Sequence, residues 1–507
     1  MSPQSPSEQP DGTHSLWEFF SRGVLNSALG EVSVQVTRVA GIVFLARQLE
    51  PSDFGLYRIV LIICAFAILI NEAGMSEALI QRKMLHASHE ATAWWISLLM
   101  GLVTAAVLYF GAPLVARLLI MPRLTEQLRL LTLPIILASI SSTGGALLKR
   151  SFRFGAIALA DSIAELSFFA VTIILLLYYK APRWSLAGGL AAKTCVRAIV
   201  ILASSRYVPR QLPRLSAAHD LAPFALSVWA SGIIISFSSN ADYFLVGRIL
   251  GSSALGFYTI AWDLLRFIPD RLYIVVGRVS LPLFSQLQDN NSDLRRRYCD
   301  LVRETSRILL PLMTGLAIAA PQVIVTLYGE RWAPAAEPLR VLALGLILVG
   351  IAIGTGPVYY AKGRPALDIF LHGARLVLII AVLAVVAPMG LIAASIGMGL
   401  VEGTIAVAGQ LMVNSIIELR IARLAEALAP GFRNALLAAA STQAGMLIAF
   451  EMGLPHGFLT LLVIGILPAL TIGFVEMPRI LKVAGFTGKS HANSPLTTLA
   501  ASERQQS

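Results

Sequence analysis

Apolar stretches parted by short polar turns recur along this chain from near residue 23 to near residue 478. A helix needs about 20 residues to cross a bilayer. The pattern predicts spans near 23–46, 56–80, 91–118, 127–149, 157–179, 185–204, 221–247, 253–285, 305–328, 338–361, 366–387, 390–414, 432–452 and 456–478. The eighth is long enough to tilt or protrude. Only helices and closed barrels satisfy their backbone in lipid, and a barrel would show short alternating segments instead. The pattern therefore reads as an all-α polytopic membrane protein of about 14 transmembrane helices.

These spans divide the chain into a polar start with a short interfacial segment (1–22), a six-helix bundle (23–204), a cytoplasmic linker (205–220) and a second six-helix bundle (221–414). An amphipathic linker (415–431), two additional helices (432–478) and a tail (479–507) follow. Residues 1–13 are rich in Ser and Pro and are expected to be disordered, without the layout of a cleavable signal. Trp17, Phe19 and Phe20 suit a segment lying along the interface.

Composition supports the membrane reading. Of 507 residues, 56% are hydrophobic and 14% charged, against roughly 25% charged in a soluble domain; mean hydropathy is +0.73. The net charge of +11 would suggest nucleic acid in a soluble protein. Here most of the excess sits in short loops, where basic residues set orientation, so no nucleic-acid partner is expected. Loops after even-numbered spans hold Arg82 and Lys83; Lys149, Arg150 and Arg153; Arg206, Arg210 and Arg214; Arg295, Arg296 and Arg297; Lys362 and Arg364; and Arg420 and Arg423. The tail adds Arg479, Lys482 and Lys489. Odd-numbered loops hold fewer, so even loops and both termini are predicted to be cytoplasmic. Cys64, Cys195 and Cys299 show neither metal nor redox spacing and read as packing residues.

One turn is written twice. ARQLEPSDFGLYRIV, 46–60, and GRILGSSALGFYTIA, 247–261, align without a gap. They share Arg47 with Arg248, Leu49 with Leu250, Ser52 with Ser253, Gly55 with Gly256, Tyr57 with Tyr258 and Ile59 with Ile260. Further along, Ala112-Pro113 precedes a Leu-Arg-Leu-Leu stretch at 128–131, and Ala320-Pro321 precedes Leu-Arg-Val-Leu at 339–342. The repeated order predicts two blocks of six helices in the same orientation. Such repeats flank substrate sites in transporters.

The stretch LARQLEPSDFGLY resembles the corresponding turn of Wzx-type polysaccharide transporters. The block from Asn240 to Asn290 and the segment GERWAPAAEPLRVLAL, 329–344, are also similar to that family, and the resemblance covers roughly residues 20–480. It implies the fold of the multidrug/oligosaccharidyl-lipid/polysaccharide superfamily: two six-helix bundles facing across a cavity, often with two extra C-terminal helices. It implies a flippase that moves a lipid-linked oligosaccharide, on undecaprenyl pyrophosphate, across the bacterial inner membrane by alternating access. The partners it implies are that glycan, membrane lipid and polysaccharide assembly proteins. No enzymatic activity and no cofactor are expected.

Charges inside spans are costly and face a cavity or a partner. Ser27, Glu31, Gln35 and Arg38 form one stripe on the first span, and Asp263, Arg266 and Asp270 another on the eighth. Asp368, His372 and Arg375 align on the eleventh span, and Glu402, Gln410 and Asn414 on the twelfth. Ser236, Ser239, Asn240 and Tyr243 share a face of the seventh, with Asp242 beside them. Arginine suits phosphate because its planar fork donates two hydrogen bonds together. Arg38, Arg266 and Arg375 are thus candidates for the headgroup, with Gln35, Asn240 and Tyr243 lining the cavity. Glu31, Asp242 and Asp263 are candidates for coupling to H+ or Na+. The same charges also suit structural ion pairs. Lys193 and Arg197 share a face of the sixth span; Asp161 and Glu165 share one of the fifth and read first as structure. Gly354, Gly356 and Pro357 are expected to interrupt span ten, Pro134 span four and Pro269 span eight.

Three rival readings remain. A drug or small-molecule exporter could use the same fold. A membrane glycan polymerase or ligase would need a sizeable outer loop with catalytic residues, and the outer loops here are short. A scaffold would have little need for intramembrane charge. No phosphate-binding loop of the G-x-x-x-x-G-K-S/T type occurs, so ATP is not the direct energy source.

Overall fold

The computed structural model describes residue 38, residues 40–454 and residues 457–486, and no strand occurs among them. Glu31 and Gln35, the predicted interfacial segment and most of the C-terminal tail lie outside the described residues. Helical residues 40–48 (α1) lead into α2 (Pro51–Glu72), where Pro51 opens the helix and Asp53 sits in its first turn. A proline there gives up an N–H that has no helical partner. Then come α3 (Met75–Gln81), α4 (Ala87–Leu118), α5 (Leu124–Leu130), α6 (Thr132–Arg150), α7 (Phe154–Ile173) and α8 (Pro182–Ser205). The long element α9 (Leu215–Gln286) is followed by α10 (Asn291–Ile318), α11 (Ala320–Tyr328), α12 (Ala336–Ile351), α13 (Thr355–Ala361) and α14 (Ala366–Val386). The last three are α15 (Leu391–Ile416), α16 (Ile421–Glu451) and α17 (Phe458–Phe486).

The helix breaks have local causes. The span predicted at 56–80 is two helices, because Ala73 (φ 44°) and Gly74 (φ 70°) are left-handed. Gly74 is required there: a Cβ would lie 2.1 Å from the Ala225 carbonyl oxygen. Pro134 does not interrupt its span as expected; it is the third residue of α6, where no intrahelical donor is lost, and the break falls earlier, at Leu131. Gly251 (φ 86°, ψ 175°) turns the chain inside α9, between the predicted seventh and eighth spans. Gly354 (φ 103°) parts α12 from α13, as the sequence leads one to expect for span ten.

Among the described residues, 11 helical segments are long and apolar enough to cross a membrane, with α9 counted once. The chain is a multi-pass membrane protein. Helix α16 is not among the 11; its buried face carries Asn434, Ser441 and Thr442.

Two compact units divide these elements. The first holds the described residues up to Leu264, with Leu327–Pro338 and Gly363–Ile405. In it the two copies of the repeated turn meet. A Cβ on Gly55 would lie 1.9 Å from the Ser252 carbonyl oxygen, and a Cβ on Gly256 1.9 Å from that of Pro51. Small residues at a crossing let helix backbones touch. Trp332 is fully buried beside this crossing, edge-on to Phe54 at 5.2 Å and Phe257 at 5.9 Å. Its Nε1 donates to the Ala46 carbonyl at 2.7 Å.

The second unit holds Leu265–Thr326, Leu339–Lys362 and the described residues from Ala406 on. Helices α10, α16 and α17 pack together there. Glu476 of α17 accepts from Arg433 (2.5 Å) and Asn434 (3.2 Å) of α16, and Arg307 of α10 lies 3.7 Å away. Tyr298 donates to Gln410 at 2.7 Å, and Gln410 to Asn414 at 2.9 Å.

The repeat extends to single bonds. Arg129 Nε donates to the Tyr109 carbonyl at 3.3 Å in the first unit, and Arg340 Nε to the Ala317 carbonyl at 3.3 Å in the second. Both arginines belong to the duplicated Leu-Arg stretches, and each accepting residue lies three before its Ala-Pro pair.

Candidate functional site

Helices α7 and α8 run as a hairpin, and their facing charges form a ladder. Asp161 and Glu165 are four apart on α7; Lys193 and Arg197 are four apart on α8. Arg197 Nε donates to Asp161 Oδ1 at 2.7 Å, and Lys193 Nζ to Glu165 Oε2 at 2.5 Å. One turn further, Gly189 lets the helices close: its Cβ would meet Thr172 Oγ1 at 2.1 Å. Arg38 completes the cluster, with Nε on Glu165 Oε1 at 2.9 Å and Nη2 on Oε2 at 3.2 Å. The Glu165 side chain is 5% exposed, while those of Arg38 and Lys193 are 39% and 31% exposed. A buried carboxylate is tolerable here because two cations and three hydrogen bonds meet it.

A second cluster gathers around Arg58, a residue the spacing argument missed. Its guanidinium lies 3.9 Å from the centre of the Tyr243 ring, and Nη1 donates to Asp263 Oδ1 at 3.3 Å. Tyr258 donates to Asp242 Oδ2 at 2.9 Å, and the Tyr243 and Tyr258 rings stand edge to face at 5.5 Å. Asp242 and Tyr243 are fully buried, whereas Asp263 is exposed. The signal for Arg58 was in the sequence. It is an arginine within the apolar part of the repeated turn, where the second copy has Thr259.

Arg375 sits elsewhere in the first unit, buried on α14. Its Nη2 donates to Glu402 Oε1 at 2.5 Å, Nε to Oε2 at 3.2 Å, and Nη1 to the Ser238 carbonyl. The Ser238 hydroxyl pairs with His372 Nδ1 at 3.0 Å, which accounts for that histidine as a satisfied polar residue. Asn240 bonds within its own helix, to the Ser236 carbonyl at 2.9 Å. Arg266 belongs to the second unit and is half-buried. The structure thus places Tyr243 and Asp263 against Arg58, with Asp242 held by Tyr258 behind the Tyr243 ring, brings Arg38 and Lys193 together on Glu165, and pairs Arg375 with Glu402. Among the described residues no three His, Cys, Asp or Glu side chains gather as metal ligands would.

The sequence profile of the family described as polysaccharide biosynthesis protein matches residues 44–337, more than half of the chain. The chain belongs to the polysaccharide biosynthesis protein family. It is similar to the lipopolysaccharide biosynthesis protein WzxC of Escherichia coli (strain K12), 24% identical over 352 residues, 69% of this chain and 71% of that one. It is also similar to the succinoglycan biosynthesis transport protein ExoT of Rhizobium meliloti (strain 1021), 28% identical over 325 residues, 64% of this chain and 65% of the relative. Among solved structures, that of the lipid II flippase MurJ in an inward closed conformation shares the fold, with a TM-score of 0.71 and 15% identity, covering 90% of this chain and all of that one. The profile spans both copies of the repeated turn, Arg58 and its partners, and the Asp161, Glu165, Lys193 and Arg197 ladder, and begins after Arg38.

Proposed function

We propose that this chain is a flippase that carries a lipid-linked oligosaccharide, on undecaprenyl pyrophosphate, from the inner to the outer leaflet of a bacterial inner membrane. Family membership supports the class. The observation that carries the headgroup chemistry is the Arg38 cluster: three cations and two carboxylates held on apolar helices, with the cations partly open. A diphosphate cannot enter hydrocarbon without replacing its water. Arginine and lysine donors supply that replacement while the lipid tail stays in the bilayer. Arg38 leads as the headgroup residue. Arg266, Arg375, Gln35, Asn240 and Tyr243 complete the proposed set, with Glu31, Asp242 and Asp263 for coupling to H+ or Na+. We place about fourteen spans, with two six-helix repeats, two additional helices and both termini cytoplasmic. Transport proceeds by alternating access of the two repeats, and the chain works as a transporter with no catalysis of its own.

The test is made in cells lacking the gene. Their lipids are extracted and the undecaprenyl-linked glycans weighed by mass spectrometry, beside an assay of surface polysaccharide. Accumulation of a complete lipid-linked glycan with loss of surface polymer is expected. Wild-type protein restores both, and Arg38→Ala does not. Normal glycans and normal polymer, in a strain without a second flippase, overturn the reading and bring small-molecule export forward.

A further inference from the structure

We propose that Glu165 is a built-in counter-anion for a diphosphate site formed by Arg38 and Lys193, with Arg197 beside them. This rests on the flippase reading and goes beyond it by naming what occupies the cations before cargo arrives. Two cations on apolar helices need an anion, because an unpaired charge out of water is strongly unfavourable. Glu165 supplies it, with both carboxylate oxygens engaged: Oε1 by Arg38, and Oε2 by Arg38 and Lys193.

The exposures set the order of events. The carboxylate is 5% exposed and lies behind, while Arg38 at 39% and Lys193 at 31% are open to an approaching ligand. The cations also keep capacity. A lysine has three N–H donors, and among the described residues one is used, on Glu165. An arginine has five, and two are used on described residues. The neighbouring Arg197–Asp161 pair at 2.7 Å brings the cluster, among the described residues, to three cations against two carboxylates. A diphosphate carries more charge than a carboxylate and matches the arginine fork, so it draws Arg38 and Lys193 towards itself. Glu165 is tethered to α7 and cannot leave. It recaptures the two side chains once the ligand moves on, and it thereby shortens the ligand's stay. A transporter needs that, since a site that only binds holds its cargo.

The test is equilibrium binding of inorganic pyrophosphate to the full chain in lipid nanodiscs, at fixed pH and salt, for wild type, Glu165→Gln and Lys193→Gln. Glu165→Gln is expected to bind about tenfold more tightly and Lys193→Gln about tenfold more weakly, the scale of one hydrogen bond to a charged group. Undecaprenyl pyrophosphate is added as competitor. Displacement of the probe at lower concentration than pyrophosphate itself assigns the site to the lipid headgroup, and failure to displace it overturns that assignment. Equal or weaker binding by Glu165→Gln, with an unchanged thermal midpoint, overturns the counter-anion role, as does absence of binding by all three proteins. If Glu165→Gln does not fold, Lys193→Gln decides, because it leaves the Arg38–Glu165 pair in place; unchanged affinity then overturns the proposal. The cell assay above keeps the two readings apart. Glycan accumulation in the deletion strain with unaltered pyrophosphate binding by the variants sinks the counter-anion alone, whereas no accumulation sinks the flippase reading itself.

Discussion

Gly55 and Gly256 each press against the other's copy of the repeated turn: the first meets the Ser252 carbonyl and the second the Pro51 carbonyl. In the aligned stretches Pro51 corresponds to Ser252 and Gly55 to Gly256, so the contact is reciprocal. The chain writes this turn twice because the two copies are each other's packing partner.

Gly55→Ala and Gly256→Ala are each expected to lower stability by about 1–3 kcal/mol, since the new Cβ forces backbones apart. The double variant is expected to cost less than the sum, because the first substitution makes the room the second needs. Denaturant unfolding of the four proteins in detergent measures this. Simple additivity would show that the two glycines do not share one crossing.

Trp332 fills the space beside that crossing. Trp332→Ala is expected to cost about 3–5 kcal/mol through lost burial and a cavity. Trp332→Phe keeps the ring against Phe54 and Phe257 but loses the donation to Ala46, worth about 1 kcal/mol. Thermal midpoints in the same detergent should rank wild type, Phe and Ala in that order.

Arg375 and Glu402 separate structural from substrate roles. Both are largely buried, so Arg375→Ala or Glu402→Ala alone is expected to cost about 3–5 kcal/mol by stranding a charge. The paired change Arg375→Met with Glu402→Leu should recover most of that. If the recovered protein also restores surface polysaccharide, Arg375 is a brace; if it folds but fails to transport, Arg375 contacts the headgroup.

Asp242 and Asp263 face different surroundings, one against Tyr258 and the other against Arg58. Asp242 is buried and accepts from Tyr258, so Asp242→Asn is expected to lower stability by about 1–3 kcal/mol. Asp263 is 42% exposed in its side chain, and its pair with Arg58 at 3.3 Å is worth no more than about 1 kcal/mol. Asp263→Asn should therefore fold normally. Its transport, assayed in vesicles with and without imposed H+ or Na+ gradients, is expected to lose gradient dependence. Retained dependence would remove Asp263 from the coupling set.

Helix edges with polar or proline signals were readable from the chain. The spans predicted at 185–204, 366–387 and 390–414 meet Pro182–Ser205, Ala366–Val386 and Leu391–Ile416. The break at Ala73–Gly74 was invisible, because neither residue changes local hydropathy and the contact that requires glycine, with the carbonyl of Ala225, comes from far along the chain. The site was legible in the same partial way. Spacing within one helix shows which charges share a face, and it put Asp161 with Glu165 and Lys193 with Arg197. It cannot show which helix lies opposite, so Glu165 as the partner of Arg38 came only with the fold. Arg58 escaped for another reason: on α2 no second charge lies three or four residues from it.

The Gly55–Gly256 crossing also dictates an order of assembly. A chain is synthesised from its N-terminus, and domains settle as they emerge. Helix α2 enters the bilayer about two hundred residues before its partner exists, and Trp332 follows later still. Throughout that interval the bare backbone at Gly55 faces lipid or the insertion machinery. The N-terminal half is thus a nascent intermediate held open for a late arrival, and truncation before Gly256 leaves it permanently unclosed.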